Sequence, residues 1–233
     1  MISPTIAETL ADETLCSQLT EAQFNQYVRK EPHQALRYVH ACSRMTDEQL
    51  DTCIYQAPWE ALRYVGDRLT DKQFDYCVQK EPSLALTNRQ ANNRLSSTQF
   101  NYCVEAHPWT ALRYHSQRLT DAQFNRAILQ CPGEALENAR VCQRMTDAQF
   151  DYCIQASPSS ALFYEHACDR LSPTQFNHCI KKCPMSALDY PCTRRLTPIQ
   201  FDDCLKQYPH HPFKKDNLLD KATPYQKSWI MTQ

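Results

Sequence analysis

Glycine is almost missing: the 233 residues contain two, Gly66 and Gly133. Phosphate-cradling loops and dinucleotide fingerprints need several glycines at fixed offsets, so neither is present. Sheets built on tight glycine turns are disfavoured for the same reason. Charge of one sign is also missing. Twenty-five Lys and Arg stand against 26 Asp and Glu, for a formal charge of −1, so there is no global basic field of the kind that dominates nucleic-acid binding. No apolar run is long enough to span a bilayer. The start, Met1 to Glu8, lacks a basic stretch followed by an apolar run, so no signal peptide is expected. The expected location is cytoplasmic: a bacterial cytosol, or a host cytosol for a delivered or viral protein.

What the chain has is repetition. A Thr or Ser followed three residues later by Gln occurs at Thr20/Gln23, Thr46/Gln49, Thr70/Gln73, Ser96/Gln99, Thr120/Gln123, Thr146/Gln149, Ser172/Gln175 and Thr197/Gln200. A weaker copy follows at Thr223/Gln226. Successive glutamines lie 26, 24, 26, 24, 26, 26, 25 and 26 residues apart. A period near 25 over nearly the whole chain defines a repeat array.

Each copy carries the local signals of a helix start. The hydroxyl accepts from a free N–H of the first turn, and the glutamine reaches back to the cap's own N–H, which makes a capping box. Leu69 before the cap and Phe74 after it can close a hydrophobic staple. Phe74, Cys77 and Val78 then share one helix face. The large anchor recurs as Phe24, Leu50, Phe74, Phe100, Phe124, Phe150, Phe176 and Phe201, and a proline follows each by eight residues, from Pro32 to Pro209. That interval predicts a first helix of about three turns. The proline ends it and opens a second, shorter helix, where its missing N–H costs nothing. The second helix buries an Ala-Leu pair, 35/36 through 187/188. Tyr38, Tyr64, Tyr114, Tyr164 and Tyr190 follow two residues later, with Asn88 and Asn138 as exceptions. All variation in repeat length falls after this position, as it does in loops.

The expectation is a right-handed all-α solenoid of about eight two-helix repeats plus capping segments, the second helix short enough to include 3₁₀ turns. Residues 1–18 read as an N-terminal cap, 19–209 as eight tandem repeats, and 210–233 as a degenerate ninth repeat that closes the array. In that last segment Lys227 takes the Phe place while Ile230 and Met231 keep an apolar face. The pattern over residues 19–209, exemplified by Ser172–Leu188, resembles the leucine-rich-variant type of short two-helix repeat. It is also similar to tandem Ala-Leu-x-Tyr repeats. The resemblance implies a superhelical binding scaffold and no single activity. The cysteine on the apolar face and the uniform capping box depart from the leucine-rich-variant consensus.

Stacked repeats turn each position into a ladder. Cys53, Cys77, Cys103, Cys153, Cys179 and Cys204 lie between apolar positions and read as small core hydrophobes. Cys179, Cys183, His178 and Cys192 form the only local cluster with ligand types, at a spacing poor for zinc, and no metal or cofactor is expected. The Asn/Asp ladder runs Asn25, Asp51, Asp75, Asn101, Asn125, Asp151, Asn177 and Asp202. The arginine ladder runs Arg44, Arg68, Arg94, Arg118, Arg144, Arg170 and Arg195. Two readings apply to them: pairing between repeats or onto helix-end carbonyls, or a phosphate-contact row using Arg68, Arg94, Arg118, Arg144 and Arg170. Tyr76, Tyr102 and Tyr152 either form a surface or pack between repeats.

Function in a repeat protein belongs where the repeats differ. After the proline stand His33, Trp59, Ser83, Trp109, Gly133, Ser159, Met185 and His210. Four residues on are Arg37, Arg63, Thr87, Arg113, Glu137, Phe163, Asp189 and Lys214. Trp59/Arg63, Trp109/Arg113 and His33/Arg37 are therefore the candidate partner-binding residues, since Trp and Arg are enriched in binding hot spots. The competing reading of Trp and Arg at this spacing is a local cation–π contact. A non-enzymatic protein-binding scaffold, adaptor or inhibitor, is the first reading. A nucleic-acid binder is the alternative, with the arginine row on phosphates and the tryptophans stacking on bases. An enzyme stands third, because His107, His115, His166 and His178 have no matched nucleophile or carboxylate at a catalytic spacing. Neither a membrane nor a small-molecule cofactor is an expected partner. Phe100→Ala should lower unfolding stability by about 3–5 kcal/mol by emptying a buried anchor. A loss under about 1 kcal/mol in urea denaturation would take Phe100 out of the core.

Overall fold

A computed structural model describes residues 5–189 and 192–207, together with Pro224 and Ser228. The degenerate ninth repeat, Pro209 and Tyr190 lie outside the described residues, apart from those two isolated positions. Among the described residues there are 21 α-helices, two 3₁₀ helices and no strand, so the chain is an all-α repeat solenoid. It divides into two compact units, Met1–Thr110 and Ala111–Gln233.

Every repeat opens with a ten-residue helix: Glu21–Lys30, Asp47–Gln56, Asp71–Lys80, Ser97–Ala106, Asp121–Gln130, Asp147–Ala156, Pro173–Lys182 and Pro198–Gln207. The cap hydroxyl accepts from the glutamine's backbone N–H at 3.2–3.3 Å. The glutamine Oε1 accepts from the cap's N–H at 2.6–3.0 Å. Both halves of the capping box are thus formed in all eight repeats.

The proline begins the second helix directly: Pro32–Arg37, Pro58–Tyr64, Pro82–Thr87, Pro108–His115, Pro132–Glu137, Pro158–Phe163 and Pro184–Leu188. These are α-helical, and their Ala-Leu pairs are buried throughout. The connector is more regular than a loop. In four repeats it folds into a third helix, Val39–Arg44, Arg89–Arg94, Ala139–Arg144 and Glu165–Arg170. Asn88 and Asn138, the exceptions in the tyrosine column, are N-caps here: Asn88 Oδ1 accepts from Ala91 N–H at 3.0 Å and Asn138 Oδ1 from Arg140 N–H at 3.0 Å. The two repeats with a 24-residue spacing have the two longest second helices, Pro58–Tyr64 and Pro108–His115. A 3₁₀ turn, Gly66–Arg68, or a plain turn replaces their third helix, because the missing residues come out of that segment.

Within each unit the second helix of one repeat packs on the first helix of the next, and like helices stack on like. The helices of the N-terminal segment pack in the same way as second and third helices do. Ile6–Ala11 packs on the second helix Pro32–Arg37, and Glu13–Gln18 on the third helix Val39–Arg44.

The cysteine ladder is core: Cys53, Cys77, Cys103, Cys153, Cys179 and Cys204 are buried. Burial pushes the thiols of Cys77, Cys153 and Cys179 up to about 12. It pushes those of Cys53, Cys103, Cys142 and Cys204 up to about 11. Cys192 is bonded to Cys168, one repeat earlier, by a disulfide that the sequence reading did not foresee. Cys192 lies in a 3₁₀ turn, Cys192–Arg195, where four other repeats place a third helix.

A raised thiol pKa means that the folded chain holds protons the unfolded chain has lost above about pH 8.5. The stability these thiols contribute is therefore complete below that pH and declines as pH rises toward their folded values. The melting temperature should fall from about pH 8.5 upward, and fall less in a Cys77→Ala/Cys153→Ala variant. A thiol reagent near neutral pH should reach the half-buried Cys131 and Cys183 before the nine buried free cysteines. An unchanged melting slope in the variant would show that these thiols ionise alike in both states.

Candidate binding surface

The arginine ladder lies between repeats. Five of its members fold over the anchor ring of their own repeat: Arg44 over Phe24, Arg94 over Phe74, Arg144 over Phe124, Arg170 over Phe150 and Arg195 over Phe176, at 4.2–4.5 Å from the centroids. Each guanidinium also donates to the chain that enters that repeat. Arg144 donates to the carbonyls of Ser116 and Leu119 (2.9 Å to Leu119) and to Asp121 at 2.9 Å. Arg170 repeats the set with Cys142, Met145 at 3.0 Å and Asp147 at 3.0 Å. Arg94 donates to Gly66 and Asp71, both at 2.9 Å. A planar fork with five donors suits this task, and a lysine point charge does not. Arg94, Arg144 and Arg170 of the proposed phosphate row are thus engaged inside the fold.

Arg68 departs from this pattern. Its repeat carries Leu50 as anchor, so there is no ring to cover. Arg68 is exposed and has no hydrogen bond or ion pair among the described residues.

The other ladders are also internal. The glutamine Nε2 donates to the Asn or Asp of the preceding repeat: Gln49 to Asn25 at 2.6 Å, Gln200 to Asn177 at 2.6 Å, and likewise Gln73 to Asp51, Gln99 to Asp75 and Gln175 to Asp151. Tyr76, Tyr102 and Tyr152 donate to the carbonyls of Tyr55, Gln79 and Leu129, each at 3.2 Å, so they pack between repeats.

The second-helix stripe differs from repeat to repeat. Arg37 donates from Nε (2.9 Å) and Nη2 (2.6 Å) to Glu60 Oε1 of the next repeat. Glu60 is 1% exposed, and its other oxygen has no partner among the described residues. His33 faces Glu31 at 3.0 Å. Arg113 pairs with Glu137 of the next repeat at 3.1 Å. Arg63 has no such partner, because the next repeat presents Leu84 and Thr87 where the others present Glu60 or Glu137. Among the described residues Arg63 makes no hydrogen bond, no ion pair and no cation–π contact with Trp59. The local stacking reading therefore fails at this pair. Trp59 is 42% exposed and Tyr64 45%; Trp109 is 39% and Tyr114 55%.

Two clefts lie in the first unit. One, of about 450 Å³, is lined by Glu13, Cys16, Ser17, Val39, His40, Ser43 and Arg44. There His40 is 2.7 Å from the Leu10 carbonyl, Ser43 donates to Val39, and Arg44 forms its own clip. The other, of about 330 Å³, borders the Thr46/Gln49 capping box. Among the described residues no three His, Cys, Asp or Glu side chains converge as a metal site. No family model, curated protein or solved structure matches the chain.

Arg144→Lys should lower stability by about 1–3 kcal/mol in urea unfolding, since it removes hydrogen bonds to backbone and a ring contact together. Arg63→Lys should stay within about 0.5 kcal/mol of the parent. Equal effects would mean that the two arginines do the same work.

Proposed function

We infer that this chain is a non-enzymatic protein-binding scaffold, an adaptor or an inhibitor, that engages its partner through the second-helix stripe. One observation carries the reading. Most of the repeated polar side chains are engaged between repeats, whereas Trp59 and Arg63 of the variable stripe, with Tyr64 beside them, stand exposed, and among the described residues Trp59 and Arg63 do not stack on each other. Large aromatic side chains beside an arginine supply contact area and directional donors at little entropy cost, the composition of interface hot spots. The matched helix of the fourth repeat adds exposed Trp109 and Tyr114. A resemblance to leucine-rich-variant and Ala-Leu-x-Tyr repeats points the same way.

The nucleic-acid reading loses support. Three of the five arginines proposed for phosphates are already bonded within the fold. The −1 net charge offers no long-range attraction. An enzymatic role also lacks support, because in the cleft of about 450 Å³ His40 and Ser43 are bonded to backbone and Arg44 to backbone and Glu21. Among the described residues no helix is long and apolar enough to cross a membrane. We place it in a cytosol, and the oxidation state of Cys168 and Cys192 in cells is a separate check on that compartment, since cytosolic disulfides are rare.

The test is affinity capture from host lysate, with and without nuclease. It compares the parent chain with Trp59→Ala/Arg63→Ala/Trp109→Ala. The variant should keep its helical circular dichroism and its melting temperature, and lose a protein that the parent retains after nuclease. A variant that unfolds would make the stripe part of the core. Capture abolished by nuclease would transfer the function to nucleic acid.

A further inference from the structure

The second repeat, from Thr46 to Leu69, is where the regular commitments of the array lapse together. Its anchor is Leu50 instead of phenylalanine, so Arg68 has no ring to cover. Its following repeat offers Leu84 and Thr87, so Arg63 has no carboxylate. The corresponding cations elsewhere on the stripe are neutralised, Arg37 by Glu60 at 2.6 Å and Arg113 by Glu137 at 3.1 Å. The carboxylate nearest in sequence to Arg63 on its own helix is Glu60, which is buried and bonded to Arg37. Two guanidiniums with no ion pair among the described residues therefore share one repeat with two aromatic side chains, Trp59 and Tyr64, that are 42% and 45% exposed. Arg63 lies four residues after Trp59, on the same face of the helix Pro58–Tyr64.

We propose that the second repeat binds an acidic peptide segment of the partner protein, with a carboxylate on Arg63 and an apolar or aromatic side chain against Trp59. This rests on the scaffold reading and narrows it. Charge complementarity selects the occupant. A basic or neutral segment would leave the Arg63 guanidinium uncompensated under the docked chain, which costs binding free energy, whereas a carboxylate forms a charge-assisted, bidentate pair with the same group. Arg68 provides a second cation from the 3₁₀ turn Gly66–Arg68. The near-zero charge of the chain confines this preference to one repeat, so the partner needs a short acidic segment and not an acidic domain.

The experiment is selection of random twelve-residue peptides displayed on phage against the full chain, followed by anisotropy titration of the selected peptides. A twenty-nucleotide single-stranded DNA serves as the competing probe. Recovered peptides should be enriched in Asp or Glu beside an aromatic residue or leucine. Arg63→Glu should weaken them at least tenfold, and Arg63→Gln several-fold. Arg113→Gln should change them less than twofold. The melting temperature of each Arg63 variant, expected to match the parent, shows that the fold is intact. Recovered peptides without acidic enrichment, or ones that bind Arg63→Glu as well as the parent, overturn the acidic-segment proposal and leave the scaffold reading standing. Recovery of no peptide overturns both. DNA that binds more tightly than any peptide, and is lost in Arg63→Glu, replaces the peptide with a nucleic-acid phosphate.

Discussion

A single glutamine amide joins six of the eight repeats to the one before, through Gln49, Gln73, Gln99, Gln149, Gln175 and Gln200. Its oxygen accepts the N–H of the cap residue, which satisfies a helix-end donor, and its nitrogen donates to an Asn or Asp of the previous first helix. A primary amide is the side chain that can do both, since it carries an acceptor and a donor on one planar group. Glutamate can complete the capping box but has nothing to donate, and beside Asp51, Asp75 or Asp151 it would add like-charge repulsion. The N-terminal helix makes the contrast visible. Glu8 closes the box with Thr5, and no first helix precedes it among the described residues to supply an Asn or Asp. Capping, a local matter in most proteins, here sets the register between repeats.

The arginine clip secures the other side of five repeats. Stacked on the anchor ring and bonded to carbonyls of the incoming chain, it satisfies helix-end acceptors that a two-turn helix cannot satisfy internally. The clip depends on an aromatic anchor, which ties the identity of one core residue to the exposure of an arginine eighteen positions later in the second repeat, Leu50 to Arg68. Substituting an aliphatic anchor thus changes the surface as well as the core. This link runs from packing to function, and a core residue sets it.

Much of the array was legible because helix starts are written in short-range chemistry. The Thr/Ser-x-x-Gln box, the proline eight residues after the anchor and the Ala-Leu pair each act within one or two turns, so they can be read without knowing the fold. The third helix was missed because its start signal, Asn88 or Asn138, looked like an exception to a tyrosine column. As N-caps those asparagines were informative, and the tyrosine repeats reach the same conformation without a side-chain cap. The Cys168–Cys192 bond was missed because it depends on how a 3₁₀ turn seats Cys192, and sequence spacing does not carry that. Arg37 and Arg63 were indistinguishable in sequence, as their difference lies in whether the following repeat carries a carboxylate in reach.

That last distinction shows where specificity can arise in a repeat protein. A position repeated eight times with the same partner stabilises the stack, and any change there lowers stability first. A position whose partner has been lost is different. Arg63 and Arg68 make no hydrogen bond or ion pair among the described residues, so the bonds that hold the other arginines in place do not hold these. Their charge is compensated by water when the chain is free, and a bound segment must replace that water with something anionic. The second repeat combines this with two exposed aromatic rings, so a repeat that departs from the regular pairing has a surface suited to recognition. Regularity elsewhere is what makes the surface usable, because the glutamine bridges Gln49–Asn25 and Gln73–Asp51 on either side hold a short, two-turn helix rigid enough to present Trp59 and Arg63 in a fixed relation.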